Sequence, residues 1–156
     1  MNNLNLDTRY LILETSHQIL KDGIPIRCKV GGISMLPLLW PGDVIIIDPI
    51  IIEQIAIGDI VVFKQDNRLV AHRLISISNI NNSKFLFTKG DSNLKRDEPF
   101  SAESLIGIVR NVIKNEILIP INQRKSLQFQ LLTKFPIFNS LIFKVVGKLY
   151  LISKKF

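Results

Sequence analysis

GDIVVFKQDNRLVAHRLI, residues 58–75, reads as two β-strands and the turn between them. Gly58-Asp59 is a turn signal that opens Ile60-Val61-Val62-Phe63-Lys64, a run of β-branched and aromatic residues suited to a pleated surface. Gln65-Asp66-Asn67-Arg68 makes a natural hairpin connection into the returning strand Leu69–Ser78. On a period of two, Val70, His72 and Leu74 point one way and Arg73 the other.

The same signals recur on both sides. Upstream, Ile26–Val30 alternates, and Gly42-Asp43 repeats the turn before Val44–Ile47, a β-branched run that predicts a strand buried on both faces. Downstream, Asn79–Lys84 is a turn before Phe85–Thr88. Leu105–Ile113 and Ile117–Ile121 form a further hairpin around Lys114-Asn115-Glu116. About seven short strands, each bounded by turn residues, predict a mainly β fold, a coiled sheet or partly open barrel rather than a βαβ fold.

Helices are expected at the two ends. Residues 7–22 read as a helix: Leu6 just before it and Tyr10, Leu13, His17 and Leu20 within it follow three-four spacing, with Asp7 as N-cap and Gly23 closing the C-terminus. His17 reads as a helix histidine at the edge of the core. From Arg124 to Phe156 the chain reads as helical with a break at Pro136. Ser140, Lys144, Gly147 and Lys148 line a narrow polar stripe on an otherwise apolar helix, and Lys154-Lys155 close it: a basic amphipathic tail that packs on the sheet with its lysines outward, lies on an anionic membrane surface or meets a partner helix. The chain therefore divides into a helix (1–23), a β domain (24–121) and the tail (122–156).

With 156 residues, 47% of them hydrophobic and 21% charged, the chain is long and apolar enough for one cored domain. The net charge of +7 is unevenly placed. Residues 1–116 hold 13 basic and 13 acidic side chains, whereas residues 117–156 hold seven basic ones and no acid. A nucleic-acid-binding body would carry its own positive charge, so no nucleic acid is expected as partner. The single Cys28 excludes an internal disulfide framework and reads as a buried structural thiol. No stretch reaches the roughly 18–20 apolar residues of a membrane-spanning helix. The N-terminus lacks the layout of a secretory signal, which predicts a cytoplasmic or peripherally membrane-associated protein. There is no metal-ligand cluster and no phosphate-binding glycine motif, so no cofactor is expected.

Chemistry enters with GGISMLPLLWPGD, residues 31–43. Gly31 and Gly32 let the backbone approach another chain closely, and Pro37 stiffens the segment after Ser34. The layout presents a hydroxyl on a shaped backbone, and it also fits a plain turn serine. A serine nucleophile needs a base. His72, flanked by apolar neighbours on its strand face, is either a satisfied core histidine or such a base. TKGDSNLKRDEP, residues 88–99, follows a strand and offers Asp91 and Asp97. Asp91 is placed to brace the turn, and Asp97 lies on a loop able to fold back towards the His72 strand.

Four segments in order, SMLPLLWPGD (34–43), GDIVVF (58–63), VAHRLI (70–75) and TKGDSN with Asp97 and LIGIV (88–109), resemble the type I signal peptidases, or leader peptidases. These share a β-fold and serine chemistry with LexA-like self-cleaving repressors. The resemblance covers residues 24 to 113. Bacterial-type members carry lysine where this chain has His72, so the likeness is to the endoplasmic-reticulum and archaeal Ser-His type. It implies Ser34 as nucleophile, His72 as general base, Asp97 as the orienting carboxylate and Asp91 as a supporting acid. It further implies a serine endopeptidase that removes signal or leader peptides after small residues. The oxyanion and substrate groove would then involve Gly32, Ser34, Met35 and Pro37, with the Ser34 N–H as one oxyanion donor. Gly32 stands where some bacterial members place a second oxyanion hydroxyl. Typical members also have an N-terminal membrane anchor, where this chain has only a short amphipathic helix.

Two other readings remain open on sequence. One is a LexA-like self-cleaving or non-catalytic regulator, although about 22 residues before the β domain are too few for a helix-turn-helix. The other is a non-catalytic module, driven by the basic tail, that binds a membrane surface or nucleic acid.

Overall fold

Four consecutive side chains, Ile60, Val61, Val62 and Phe63, are at most 2% exposed. They belong to β3 (Ile60–Gln65), the strand around which the sheet is assembled in this computed structural model, which describes residues 6–66, 68–121 and 136–153. Alternation sends them to opposite faces. Ile60 and Val62 join Leu20, Met35, Leu39, Ile45 and Val109 on one side, while Val61 and Phe63 join Leu74, Leu86 and Leu105 on the other. Burying each such side chain contributes about 1.5–3 kcal/mol, so a strand apolar on both faces is stable only with cover above and below it. Helix α1 and the serine loop supply cover on the first side, through Leu20, Met35 and Leu39. Ile50, Ile52 and Ile55 supply it on the second.

The sheet is antiparallel, eight-stranded and open, in the order β1-β2-β7-β3-β4-β5-β6, with β8 paired to β7. Its other strands are β1 (Ile26–Lys29), β2 (Val44–Asp48), β4 (Arg68–Ile80), β5 (Ser83–Lys89), β6 (Phe100–Ser101), β7 (Leu105–Lys114) and β8 (Ile117–Pro120). The 58–75 hairpin pairs Ile60 with Arg73 and Gln65 with Arg68. Asp66 takes a positive φ at its tip, and Asn67 lies outside the described residues. Register shifts at Ile46/Ile47, Val62/Phe63 and Leu74/Ser76 mark bulges, which bend strands and re-aim side chains. The last of these begins two residues beyond His72.

Several expectations change. Burial on both faces, expected for Val44–Ile47, belongs to β3: in β2 only Ile45 and Ile47 are buried, because β2 is next to the edge strand β1 while β3 lies between β7 and β4. Helix α1 (Leu6–Lys21) starts one residue earlier than expected, so Asp7 falls inside the first turn, where its charge still faces the positive end of the helix dipole. Leu13 and Leu20 point into the core, but Tyr10 is 53% exposed, its ring beneath the Lys64 ammonium. His17 is half-buried, and burial lowers its pKa from the usual histidine value. Helix α2 (Pro136–Ser153) begins at the proline where a break was expected. The rest of the basic tail, residues 122–135 and 154–156, lies outside the described residues. Among the described residues, no helix is long and apolar enough to cross a membrane.

Candidate active site

The serine loop between β1 and β2 is closed by its own ends. The Val30 N–H donates to Asp43 O and the Gly42 N–H to Val30 O, each at 2.8 Å. Gly42 has φ +101°, a conformation that a residue with a Cβ rarely adopts, and this turns the chain into β2. The Asp43 carboxylate accepts the Trp40 N–H at 2.8 Å and pairs with Lys114 at 2.9 Å. Lys114 also donates to Leu38 O, which fastens the loop to the end of β7. Asp59 repeats the device by accepting the Ala56 N–H at the Gly58 turn.

Ser34 is held from a third direction. The turn after β5 presses on it: the Ser92 N–H donates to Ser34 O at 2.9 Å, and Ser92 Oγ donates to Ile33 O at 2.7 Å. Gly90 lies so close that a Cβ there would stand 2.8 Å from Ser34 O and 3.0 Å from Ser34 Cβ. Both peptide carbonyls preceding and following the Ser34 Cα are thus engaged from the 90–92 side.

His72 projects from β4 with its ring edge-on to Phe63, 6.2 Å between centroids. Its Nε2 lies 2.9 Å from Ser34 Oγ and its Nδ1 lies 2.6 Å from Asp97 Oδ2. A carboxylate only accepts, so Nδ1 carries the proton and Nε2 is left to accept from the serine hydroxyl. Asp97 arrives because the 90–99 loop folds back on β5: its N–H donates to Thr88 O at 2.9 Å, and its Oδ2 accepts the Thr88 hydroxyl at 2.7 Å. Thr88 is fully buried and pairs across the sheet with Leu74. Ser34, His72 and Asp97 therefore form one hydrogen-bonded chain.

Burial acts to raise the Asp97 pKa, but hydrogen bonds from His72 and Thr88, with the His72 charge, outweigh it and hold the carboxyl below its usual value. A depressed carboxylate pKa contributes stability above the unfolded value, near 3.9 (about), which is lost as pH falls through the folded one. The melting-temperature gap between wild type and Asp97→Asn is therefore expected to be present at about pH 5 and to close only below about 4. Calorimetry across that range reads it directly.

Asp91 does not touch His72 or Ser34 in this arrangement. Its carboxylate takes a bidentate pair from Arg73, Nε to Oδ1 at 2.7 Å and Nη2 to Oδ2 at 2.6 Å, while Arg73 Nη1 donates to Gly58 O at 2.8 Å. Both side chains are buried, at 2% and 4% exposure. The pair ties the Gly58 turn, β4 and the 90–92 turn together, so Asp91 bears on Ser34 through the backbone.

A groove of about 420 Å³ opens beside Ser34 and His72. Gly31 and Gly32 rim it, both exposed, with nothing within 4 Å of where a Cβ would stand. Met35, Val62 and Ala71 give it apolar walls. Pro37 is not part of the lining: it sits in the turn beyond, after a cis Leu36–Pro37 bond. Cys28 is half-buried on the groove wall rather than sunk in the core, and burial raises its thiol pKa, which disfavours the reactive thiolate. Sequence reasoning singled out neither Thr88, Ser92 and Gly90 as site residues nor Arg73 as the partner of Asp91. No protein-family model matches the chain, and no curated protein matches it.

Proposed function

We propose that the chain is a serine endopeptidase of the signal-peptidase kind, cleaving a leader or signal peptide from a precursor protein. The observation that carries this reading is the continuous Ser34–His72–Asp97 hydrogen-bond chain at the end of an open, glycine-rimmed groove. Its order and polarity are those a serine nucleophile needs: base on the hydroxyl, carboxylate on the far ring nitrogen. The resemblance of four ordered segments to leader peptidases supports the same roles.

In this mechanism Ser34 Oγ attacks the scissile carbonyl carbon as its proton passes to His72 Nε2. The tetrahedral oxyanion is met by the Ser34 N–H. Collapse breaks the C–N bond, and His72 returns the proton to the departing amine. Water then attacks the acyl-enzyme ester with His72 again as base, which releases the carboxylate and restores the serine. Asp97 fixes the tautomer and stabilises the imidazolium, and Thr88 holds Asp97.

Gly31-Gly32 offers bare backbone along the groove, which suits an extended substrate adding as a strand. The Met35, Val62 and Ala71 walls favour short apolar or small side chains before the cut. Incubating the protein and its Ser34→Ala form with a panel of leader-bearing peptides, and mapping products by mass spectrometry, tests the proposal. Cuts after small residues by the wild type alone support it, and equal products from both forms refute it.

Gly90 yields a sharper expectation. A methyl group there must displace Ser34 O or Ser34 Cβ, and an ångström at the nucleophile costs about a hundredfold in rate. Gly90→Ala is expected to lower kcat by roughly that factor at little change in KM, read by steady-state kinetics.

A further inference from the structure

Helix α2 carries apolar residues on two faces, and among the described residues only one of these faces is covered by the protein. Gly147 is buried: a Cβ there would stand 2.5 Å from Leu36 Cδ1 and 3.1 Å from Ile33 Cγ2. One turn on, the Tyr150 ring meets Trp40 edge-on at 5.3 Å between centroids. The inner face of α2 thus sits on the loop that carries Ser34. Of the polar stripe expected through Ser140, Lys144, Gly147 and Lys148, Lys148 faces solvent and Lys144 is half-buried, whereas Gly147 is buried against Leu36 and Ile33; the Ser140 side chain is outside the described ones.

The outer face holds Leu141, Ile142, Val145, Val146, Leu149 and Ile152, each at least 40% exposed. At about 100° per residue these span an arc of roughly 140°, with Lys148 and then Lys144 along one border. Lys144 is half-buried and Lys148 exposed. The charged side chains of α2 are Lys144 and Lys148, both basic. An exposed apolar stripe bordered by lysines matches a bilayer interface with anionic headgroups, where the aliphatic side chains enter the acyl boundary and the ammonium groups reach the phosphates.

We infer that the outer face of α2 docks on an anionic membrane surface. Because its inner face rests on Ile33, Leu36 and Trp40, docking would hold the Ser34 loop beside the bilayer. The inference stands apart from proteolysis, since its readout is binding alone.

Flotation of the full chain with phosphatidylcholine vesicles, and with vesicles also containing phosphatidylglycerol, is the experiment. The protein is expected to float with the anionic vesicles and to stay behind with the neutral ones. Lys144→Gln with Lys148→Gln should weaken binding roughly tenfold, and Leu141→Gln with Leu149→Gln roughly a hundredfold. Ser34→Ala should float as wild type does, and unchanged melting of each variant separates lost docking from lost fold. Failure to float with anionic vesicles, or equal flotation with both kinds, overturns the inference. So does a concentration-dependent dimer that the leucine substitutions abolish, which would make a second copy the cover.

Discussion

Ser34→Ala and His72→Ala are each expected to lower peptide cleavage by about ten-thousand-fold or more, with the fold intact. The reason is in the geometry. Ser34 Oγ and His72 Nε2 are 2.9 Å apart, so the attack and its proton transfer run through this one pair. The double substitution is expected to cost little beyond either single one, because the two act as a unit. Asp97→Asn should lose about a thousandfold or more while leaving KM nearly unchanged, since the amide can favour the wrong imidazole tautomer. Full activity in any of these variants would remove that residue from the mechanism.

The second large effect is on stability. Asp91→Ala is expected to destabilise the fold by about 3–5 kcal/mol, because it removes the bidentate carboxylate partner of the buried Arg73 guanidinium. For a chain of this length that is a fall of about 10 °C in Tm. Replacing Arg73 and Asp91 together by apolar residues of similar size should restore much of it, as both buried charges are then gone. Urea denaturation of the single and double variants separates the two terms. A single Asp91→Ala change within about 0.5 kcal/mol of wild type would mean that water reaches Arg73 easily. Because the 90–92 turn also grips Ser34 and Ile33, the Asp91 variant should lose activity at temperatures well below its melting transition.

Most strands were legible in the sequence because their period is strong: Ile60–Phe63, Leu69–Ser78 and Leu105–Ile113 are long apolar runs between turn residues. β6 was not, since the two residues Phe100 and Ser101 carry no period. The expectation of two-sided burial fell on Val44–Ile47 instead of Ile60–Phe63 because both runs are aliphatic; strand order across the sheet decides between them, and composition is silent on order. Tyr10 was expected inward on spacing alone, whereas the ammonium of Lys64, fifty-odd positions (about) along the chain, offered its ring a cation–π contact at the surface.

The candidate site was legible where side chains carry the chemistry, at Ser34, His72 and Asp97. It was not legible where the backbone does. Gly90 and Ser92 hold Ser34 through its own carbonyl and that of Ile33, and a Gly-Asp-Ser stretch after a strand looks like an ordinary turn. Thr88 read as the last residue of a strand; its hydroxyl matters only because the 90–99 loop returns Asp97 to it. Period two placed Arg73 opposite His72, but not its pairing with Asp91. In α2, Gly147 counted as part of a polar stripe, when the lack of a side chain is what lets the helix approach Leu36.

The most direct measurement is the intact mass of the protein after brief reaction with an N-acylated tripeptide p-nitrophenyl ester ending in alanine, quenched in acid. One added acyl group is expected on the wild type, mapped to Ser34 by peptide fragmentation, and none on Ser34→Ala or His72→Ala. An acyl group found elsewhere, or equal labelling of the Ser34→Ala protein, would contradict Ser34 as the nucleophile.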